Sequence, residues 1–202
     1  MSDASRDVIK LYTDHGADFD KERGRSLAEK TWLDRFTSLL PDGGSILDIG
    51  CGSGEPIAGY FIAKGYAVTG IDASRPLIEL CRSRFPENLW AVADMRELAL
   101  GRRFDGLIAW HSFFHLSPED QRLMFGIFCQ HANDGAALIF TAGPGRGEAI
   151  GTFQGKPLYH ASLAREDYES LLAANGFRLL DHIVEDPQCG GATIYLARRV
   201  TA

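Results

Sequence analysis

The chain has 202 residues, of which 45% are apolar and 24% charged. This composition is typical of a soluble globular domain and argues against a disordered or fibrous chain. The formal net charge of -6 argues against nucleic acid as a partner, because phosphate binding needs clustered cations. No apolar run reaches membrane-spanning length, and the first residues lack the basic start and apolar stretch of a signal peptide. We therefore expect a cytoplasmic protein with no membrane partner.

The cysteines and histidines do not indicate a metal site. The four cysteines are Cys51, Cys81, Cys129 and Cys189. They lie far apart and form no C-x-x-C pair, so neither a zinc site nor a redox dithiol is predicted. His111 and His115 have the spacing of a helical metal pair, but they follow a predicted strand and have no third ligand nearby. We expect no bound metal.

From residue 45 onwards, short apolar strands alternate with helices, which predicts a mostly parallel sheet covered on both faces. The predicted strands are residues 45–49, 66–71, 89–92, 104–110, 136–141, 177–184 and 193–198. The predicted helices are residues 26–40, 57–63, 74–85, one that opens at Ser117, and 165–174. The last two strands have no helix between them and should form an antiparallel pair at one edge. Residues 143–157, with five glycines and two prolines, predict a flexible loop that closes over a substrate.

We predict one domain spanning residues 1–202. Residues 1–44 would form a helical N-terminal lid, and residues 45–199 a doubly wound α/β core. In such sheets ligands bind beyond the carboxyl ends of the strands.

The sharpest motif is the glycine-rich segment from Asp48 to Gly54, placed between the first strand and its helix. Its glycines allow a tight turn and let a ligand lie on the backbone, and the following helix offers unpaired N–H groups to an anionic group. A dinucleotide fingerprint needs Gly or Ala at position 55. Glu55 and Pro56 stand there instead and leave little room for a pyrophosphate. Asp48, just before the glycines, can face a cationic amine.

Two further acids end the next two strands. Asp72 lies 22 residues after Gly50 in the sequence. At this spacing a carboxylate can accept hydrogen bonds from both ribose hydroxyls. The alternative is a turn aspartate that caps the next helix, although Ser74 already fits that capping role. Asp94 ends the third strand and suits an adenine amino group. A ligand with an ammonium, a carboxylate and an adenosine fits these groups, and S-adenosylmethionine has all three.

At these residues the sequence resembles the class I, seven-stranded S-adenosylmethionine-dependent methyltransferases. The matching segments are L-D-I-G-C-G-S-G at 47–54, I-D-A-S at 71–74, A-D-M at 93–95 and F-D-G-L-I-A-W at 104–110. The resemblance implies a three-layer Rossmann-like sandwich, with strand order 3-2-1-4-5-7-6 and an antiparallel seventh strand.

The resemblance also implies a cofactor site. The glycine loop would hold the methionine part, Asp72 the ribose and Asp94 with Met95 the adenine, while residues 110–112 would lie beside the sulfonium. The implied cofactor-binding residues are Tyr12, Asp48, Gly50, Cys51, Gly52, Gly54, Asp72, Ala73, Asp94, Met95, Trp110 and His111. The lid departs from the usual Y-D-x-x-A-x-x-Y-D pattern, because Thr13 follows Tyr12 and Phe19-Asp20 replaces the second tyrosine pair.

Methyl transfer is an in-line displacement, so alignment and water exclusion carry much of the rate, and a base is needed only if the acceptor must lose a proton. His115 and His160 are the candidate acceptor-facing bases, and a packed or capping histidine is an equally good interpretation of His115. A small-molecule acceptor is favoured, because residues 109–112 read A-W-H-S rather than the D/N-P-P-Y/F signature and no recognition insert is present. A nicotinamide-dependent oxidoreductase and a non-catalytic S-adenosylmethionine-binding protein stay open as alternatives. The sequence predicts neither the acceptor nor the oligomeric state.

Overall fold

The computed structural model describes residues 3–200, with side chains from Asp7 onward; Met1, Ser2, Thr201 and Ala202, at the ends of the predicted domain, lie outside the described residues. Three helices precede the sheet: α1 (Asp3–Asp14), α2 (Gly16–Glu22) and α3 (Lys30–Thr37). The prediction of one helix over residues 26–40 was wrong in its bounds. The chain turns back before Lys30, where Arg23 pairs with the buried Glu29.

The strands are β1 (Ser45–Ile49), β2 (Ala67–Asp72), β3 (Leu89–Val92), β4 (Phe104–Ala109), β5 (Ala132–Ala142), β6 (Gly147–Phe153), β7 (Lys156–Ser162), β8 (Phe177–Asp186) and β9 (Ala192–Arg199). The remaining helices are α4 (Ile57–Ala63), α5 (Arg75–Arg84), α6 (Pro118–His131) and α7 (Arg165–Ala174). Ser117 caps α6 as expected, because its side chain accepts a hydrogen bond from the amide of Asp120. Within residues 3–200, no helix combines the length and apolar character needed to cross a membrane.

The central sheet has seven strands in the order β3-β2-β1-β4-β5-β9-β8. The first five run parallel, and β9 runs antiparallel to both of its neighbours. Because β6 and β7 form a separate two-stranded sheet, this is the predicted order 3-2-1-4-5-7-6, which is confirmed. The strand predicted at 136–141 is longer than expected and begins at Ala132.

The core lies on both faces of this sheet, because successive side chains of a strand point to opposite sides. On β1, Leu47 joins the cluster that contains Phe125 of α6. Its neighbour Ile46 joins the cluster that contains Phe36 of α3 and Phe61 of α4. The sheet is therefore covered on both sides, which leaves the carboxyl ends of the parallel strands as the place for a site.

The flexible loop expected over residues 143–157 is instead largely an antiparallel hairpin. Strands β6 and β7 pair from Gly147 opposite Ser162 to Phe153 opposite Lys156. The tip, Gln154 and Gly155, has φ values of 50° and 69°, as the mirror-image turns of two-residue hairpins require. The glycines and prolines thus obscured an ordered element that stands above the sheet edge.

Candidate functional site

A cavity of about 350 Å³ lies beyond the carboxyl ends of strands β1 to β4, where a doubly wound sheet binds its ligands. The glycine loop and the ends of β1 and β2 form one side. The opposite side comes from the N-terminal helices and the hairpin, through Tyr12, Phe19 and Leu158. Every predicted cofactor-binding residue except Gly54 lines this cavity, and so do His115 and His160.

Gly54 faces away from the cavity. A Cβ atom on Gly54 would lie 3.2 Å from the ring of Phe85 and 3.3 Å from Sγ of Cys81. The residue has a φ of 80°, so a glycine here allows the chain to turn and the loop to pack closely on α5. The structure therefore does not support a ligand contact for Gly54.

Position 50 requires a glycine for two reasons: its φ is 77°, and the neighbouring residues leave no space for a side chain. A Cβ atom there would lie 2.3 Å from Cβ of Ser112. The Ser112 hydroxyl donates a 2.6 Å hydrogen bond to the carbonyl oxygen of Ile49, which ties the segment after β4 to the end of β1. The close approach of these two segments forms one wall of the cavity.

Asp72 performs two tasks at the end of β2. Its Oδ1 accepts a 2.8 Å hydrogen bond from the amide of Ser74, and its Oδ2 accepts a 3.0 Å bond from the amide of Gly52. Ser74 occupies the N-cap position of α5 as predicted, but its hydroxyl makes no capping hydrogen bond and donates instead to the carbonyl oxygen of Tyr12. Asp72 is thus the turn aspartate that we considered as an alternative, and the same carboxylate lines the cavity. Burial raises its pKa despite these two bonds.

Asp48 is a buried acid, 3% exposed, at the end of β1. Burial and the nearby Asp72 charge raise its pKa to about 7. An isolated carboxylate in such a place is stabilised in its ionised form by an opposite charge within a few ångströms. The site is therefore suited to a cationic group of a ligand.

Asp94 and Met95, the residues predicted to hold the adenine, both line the cavity. Asp94 accepts hydrogen bonds of 2.9 and 3.1 Å from Nε of Arg96, a third from its Nη2, and one from its backbone amide. The carboxylate lines the cavity, but much of its hydrogen-bonding capacity is used by Arg96. Met95 reaches toward Gly50, where its Cε would lie 3.3 Å from an added Cβ atom.

His115 lies in the interior of the site, 8% exposed. Its Nδ1 is 2.8 Å from the carbonyl oxygen of Tyr159, and because a carbonyl can only accept, Nδ1 carries the hydrogen. Nε2 then has the lone pair, and it lies 3.3 Å from the hydroxyl of Tyr12. Burial lowers the pKa of His115 to about 4. The imidazole is thus a neutral hydrogen-bond acceptor at neutral pH.

Two further histidines, His111 and His160, line the same cavity. The ring of His160 lies 4.8 Å from that of His115 and 5.3 Å from that of Phe114, between centroids. Burial lowers the pKa of His160, and burial together with the nearby Arg23 charge lowers that of His111 to about 4. Among residues 3–200, no group of three or more His, Cys, Asp or Glu is arranged to hold a metal ion.

Sequence reasoning missed the residues that hold the lid in place. Arg84 donates two hydrogen bonds, of 2.7 and 2.6 Å, to the carboxylate of Asp20, and a third to the carbonyl oxygen of Ser53. This pair joins α2 to α5 and to the glycine loop. Phe19 lies 3.0 Å from the position of a Cβ atom on Gly52, and Arg23 also lines the cavity. Asp20 and Arg84 are 64 residues apart, and no local pattern links them.

Comparison with known proteins agrees with this geometry. A family model described as a methyltransferase domain matches residues 46–135, the stretch that contains the glycine loop, Asp72 and Asp94. The predicted resemblance to the class I S-adenosylmethionine-dependent methyltransferases is thus confirmed over this stretch. Among solved structures of this fold, 1,6-didemethyltoxoflavin-N1-methyltransferase of Burkholderia thailandensis matches with a TM-score of 0.76 at 18% identity, covering 100% of this chain and 92% of that one.

Two curated relatives are similar to this chain in sequence. A dTDP-4-amino-2,3,4,6-tetradeoxy-D-glucose N,N-dimethyltransferase of Saccharopolyspora spinosa is 30% identical over 147 residues, which cover 69% of this chain and 59% of the relative. A dTDP-3-amino-3,4,6-trideoxy-alpha-D-glucopyranose N,N-dimethyltransferase of Streptomyces venezuelae is 25% identical over 108 residues, or 52% of this chain and 45% of the relative. The match thus spans about half the length of these relatives.

Proposed function

We propose that the protein transfers a methyl group from S-adenosylmethionine to a small molecule. The observation that carries the proposal is the pair of acids, Asp48 and Asp72, that line the cavity at the glycine loop. Asp72 is bonded to the Gly52 amide, and the buried Asp48 lies in the same cavity. A ligand that places hydroxyls at one acid and a cation at the other matches this arrangement.

Each polar part of S-adenosylmethionine has a candidate partner among the residues that line the cavity. Asp48 would pair with the ammonium, which offsets the burial that raises its pKa. Arg23 is a cation lining the same cavity and would face the carboxylate. Asp72 would accept hydrogen bonds from the ribose hydroxyls. Met95 and Asp94 would lie along the adenine, with Asp94 sharing its oxygens between the base and Arg96.

When bound, the cofactor supplies a methyl group on a sulfonium that is ready for in-line displacement. The protein's part is then to align the acceptor and to exclude water. Tyr12, stacked on Phe153 with ring centroids 5.6 Å apart, closes the cavity from the lid side. His115 presents Nε2 as a hydrogen-bond acceptor for an N–H or O–H of the acceptor, in place of the Tyr12 hydroxyl. We propose His115 and His160 as the residues that face the acceptor.

The names of the similar proteins favour a small acceptor. Two are N,N-dimethyltransferases named for nucleotide-linked amino sugars, and one is an N1-methyltransferase solved with bound 1,6-didemethyltoxoflavin. We infer that this chain also acts on a small molecule. A cytoplasmic location is part of the same proposal, because the four cysteines are all free and a reducing compartment keeps thiols in that state.

Isothermal titration calorimetry with S-adenosylmethionine, S-adenosylhomocysteine and NAD tests the cofactor. We expect micromolar binding of the first two and none of NAD; binding of NAD alone would replace the proposal with an oxidoreductase. A screen of small molecules with radiolabelled S-adenosylmethionine then tests the transfer. Cofactor binding without transfer to any acceptor would favour the non-catalytic binding protein.

A further inference from the structure

A second cavity, also of about 350 Å³, lies between the hairpin and the end of β5. It shares two lining residues with the cofactor cavity, Phe114 and His160. The two aromatic rings, 5.3 Å apart between centroids, thus stand at the boundary of both spaces. We call this second space the hairpin cavity.

The position of the hairpin cavity suits a second reactant. The cofactor cavity is lined on several sides by groups that match parts of one large ligand, which leaves limited room there for another molecule. A molecule in the hairpin cavity would lie against Phe114 and His160. His115, whose ring is 4.8 Å from that of His160, lies on the cofactor side of this boundary.

The lining of the hairpin cavity defines the chemistry of its occupant. Small residues, including Ala142, Ala149 and Ala161, and the backbone of the β5–β6 connection form most of it. Apart from His160, Glu148 is the ionisable residue in this lining, and its carboxylate accepts a hydrogen bond from the Tyr159 hydroxyl. None of the lining residues is Lys or Arg. Arg146, next along the chain, is directed to Asp167, with an N–O distance of 2.6 Å.

We propose that the hairpin cavity binds the methyl acceptor, and that the acceptor is a neutral or positively charged ring compound rather than a carboxylic acid or a phosphate ester. The inference rests on the proposed function, since it names the acceptor of that reaction. Phe114 offers a ring to stack on, the Glu148 charge favours a cation over an anion, and the His160 imidazole accepts an N–H or O–H. An anion would find no cationic side chain among the residues of this cavity to replace its hydration.

Three naphthalene probes of different charge test the chemistry: 2-(aminomethyl)naphthalene, 2-naphthol and 2-naphthoic acid. Each is titrated by calorimetry at pH 7 into protein saturated with S-adenosylhomocysteine. We expect the amine and the naphthol to bind at least about tenfold more tightly than the acid. Equal or tighter binding of the acid, or no binding of any probe, would overturn the proposal.

A matched pair of variants on β6 tests whether the probes bind in the hairpin cavity. Ala149 is directly opposite His160 in the hairpin register, whereas its neighbour Ile150 is 64% exposed and does not line the cavity. Ala149→Trp should lower the affinity for the amine and the naphthol by about tenfold or more. Ile150→Trp should leave both affinities unchanged. Unchanged probe binding in Ala149→Trp would place the probes elsewhere and overturn the assignment.

The same titrations separate this proposal from the proposed function. Wild-type protein and both variants are first titrated with S-adenosylhomocysteine alone, and we expect equal affinity in all three. Failure of the wild type to bind S-adenosylhomocysteine would count against the proposed function, whatever the probes do. Normal binding of S-adenosylhomocysteine with no preference among the probes would count against the hairpin cavity alone.

Discussion

The backbone amide of Gly52 donates a 3.0 Å hydrogen bond to Oδ2 of Asp72, which joins the glycine loop to the end of β2. The other oxygen of the same carboxylate accepts from the amide of Ser74. One side chain therefore sets the shape of the loop, caps the turn before α5 and lines the cavity. Replacing Asp72 should affect both stability and ligand binding.

Asp72→Ala should weaken S-adenosylmethionine binding by about 1.5–3 kcal/mol, the scale for lost hydrogen bonds to a charged group. It should also lower the melting temperature, because two amides lose their acceptor. Asp72→Asn keeps one acceptor oxygen, so we expect it to retain more of the stability than of the affinity. Asp134→Ala, which removes a carboxylate that is 65% exposed, is the control. An affinity within twofold of wild type in Asp72→Ala would contradict the ribose assignment.

Gly52→Val should abolish cofactor binding. The added side chain would start 3.0 Å from the ring of Phe19 at the cavity wall and occupy a backbone with a φ of 56°. Gly101→Val imposes similar backbone strain, at a φ of 64°, with no atom within 4 Å of the new Cβ. It should therefore lose stability but keep its affinity. Calorimetry and thermal melts of the two variants measure both effects, and equal affinities would show that the loop does not contact the ligand.

Asp48 should make cofactor binding depend on pH. Burial and the Asp72 charge raise its pKa to about 7, and an ammonium at the carboxylate would lower that pKa in the complex. Below pH 7 the group must therefore lose a proton on binding, so affinity should fall as pH falls, by up to about tenfold per pH unit. Calorimetry between pH 5.5 and 7.5 measures this fall.

Asp48→Asn is the matched variant for that measurement. It should bind more weakly at pH 7.5 and lose most of the pH dependence, because the amide does not titrate. His111 and His115 have pKa values lowered to about 4, outside the window. A pH dependence that persists unchanged in Asp48→Asn would assign it to another group.

The sequence predicts the sheet well because each strand is a short apolar run and each connection carries a local signal. The strand at Leu89–Val92 and the helices at Ile57–Ala63 and Arg165–Ala174 have the predicted bounds. The side of the cavity formed by the glycine loop is predictable for the same reason, since Asp48 and Asp72 lie at the carboxyl ends of β1 and β2. The order of the strands was predicted from the resemblance to the class I methyltransferases and not from the residues of the strands themselves.

The side of the cavity formed by the N-terminal helices and the hairpin was not predictable in this way. Its contacts join residues that lie far apart in the sequence. The Tyr12 hydroxyl meets His115 across 103 residues, and Asp20 meets Arg84 across 64. In the hairpin, residues expected to remain flexible pair across a two-residue turn. Ser74 has the residue type and position of an N-cap, but the carboxylate of Asp72 satisfies its amide while its hydroxyl turns to the lid.

Asp20→Asn should weaken cofactor binding by loosening the lid. The carboxylate, 14% exposed, accepts two hydrogen bonds from Arg84, and the hydrogen bond from Arg84 holds its pKa well below the usual range. Losing hydrogen bonds between charged groups costs about 1.5 kcal/mol or more in free energy. The equilibrium between the docked and the undocked lid would therefore shift by about tenfold. Asp18→Asn, at a side chain that is 53% exposed, is the control. Limited proteolysis should cut the N-terminal helices faster in Asp20→Asn, and identical digestion of both variants would contradict the anchor.

His115 and His160 should act on the acceptor rather than on the cofactor. Replacing either by Gln should leave S-adenosylmethionine affinity nearly unchanged by calorimetry. A true general base would cost about 10²–10⁴-fold in turnover. His115 has a pKa lowered to about 4 and donates its Nδ1–H to Tyr159, so it is a weak base whose Nε2 serves best as a hydrogen-bond acceptor. We therefore expect a loss below about 100-fold in His115→Gln.

The pH profile separates these two roles. With cofactor and the acceptor found in the radiolabel screen both saturating, kcat should show no inflection between pH 5.5 and 8 that His115→Gln abolishes, because His115 stays neutral throughout. His160 stands at the boundary of the two cavities, so His160→Gln should raise the acceptor KM more than it lowers kcat. An inflection near pH 6.5 lost in His115→Gln would make that residue a base. Unchanged kcat and KM in both variants would leave the two histidines with a packing role, His115 through its bond to Tyr159 and His160 through its ring contact with Phe114.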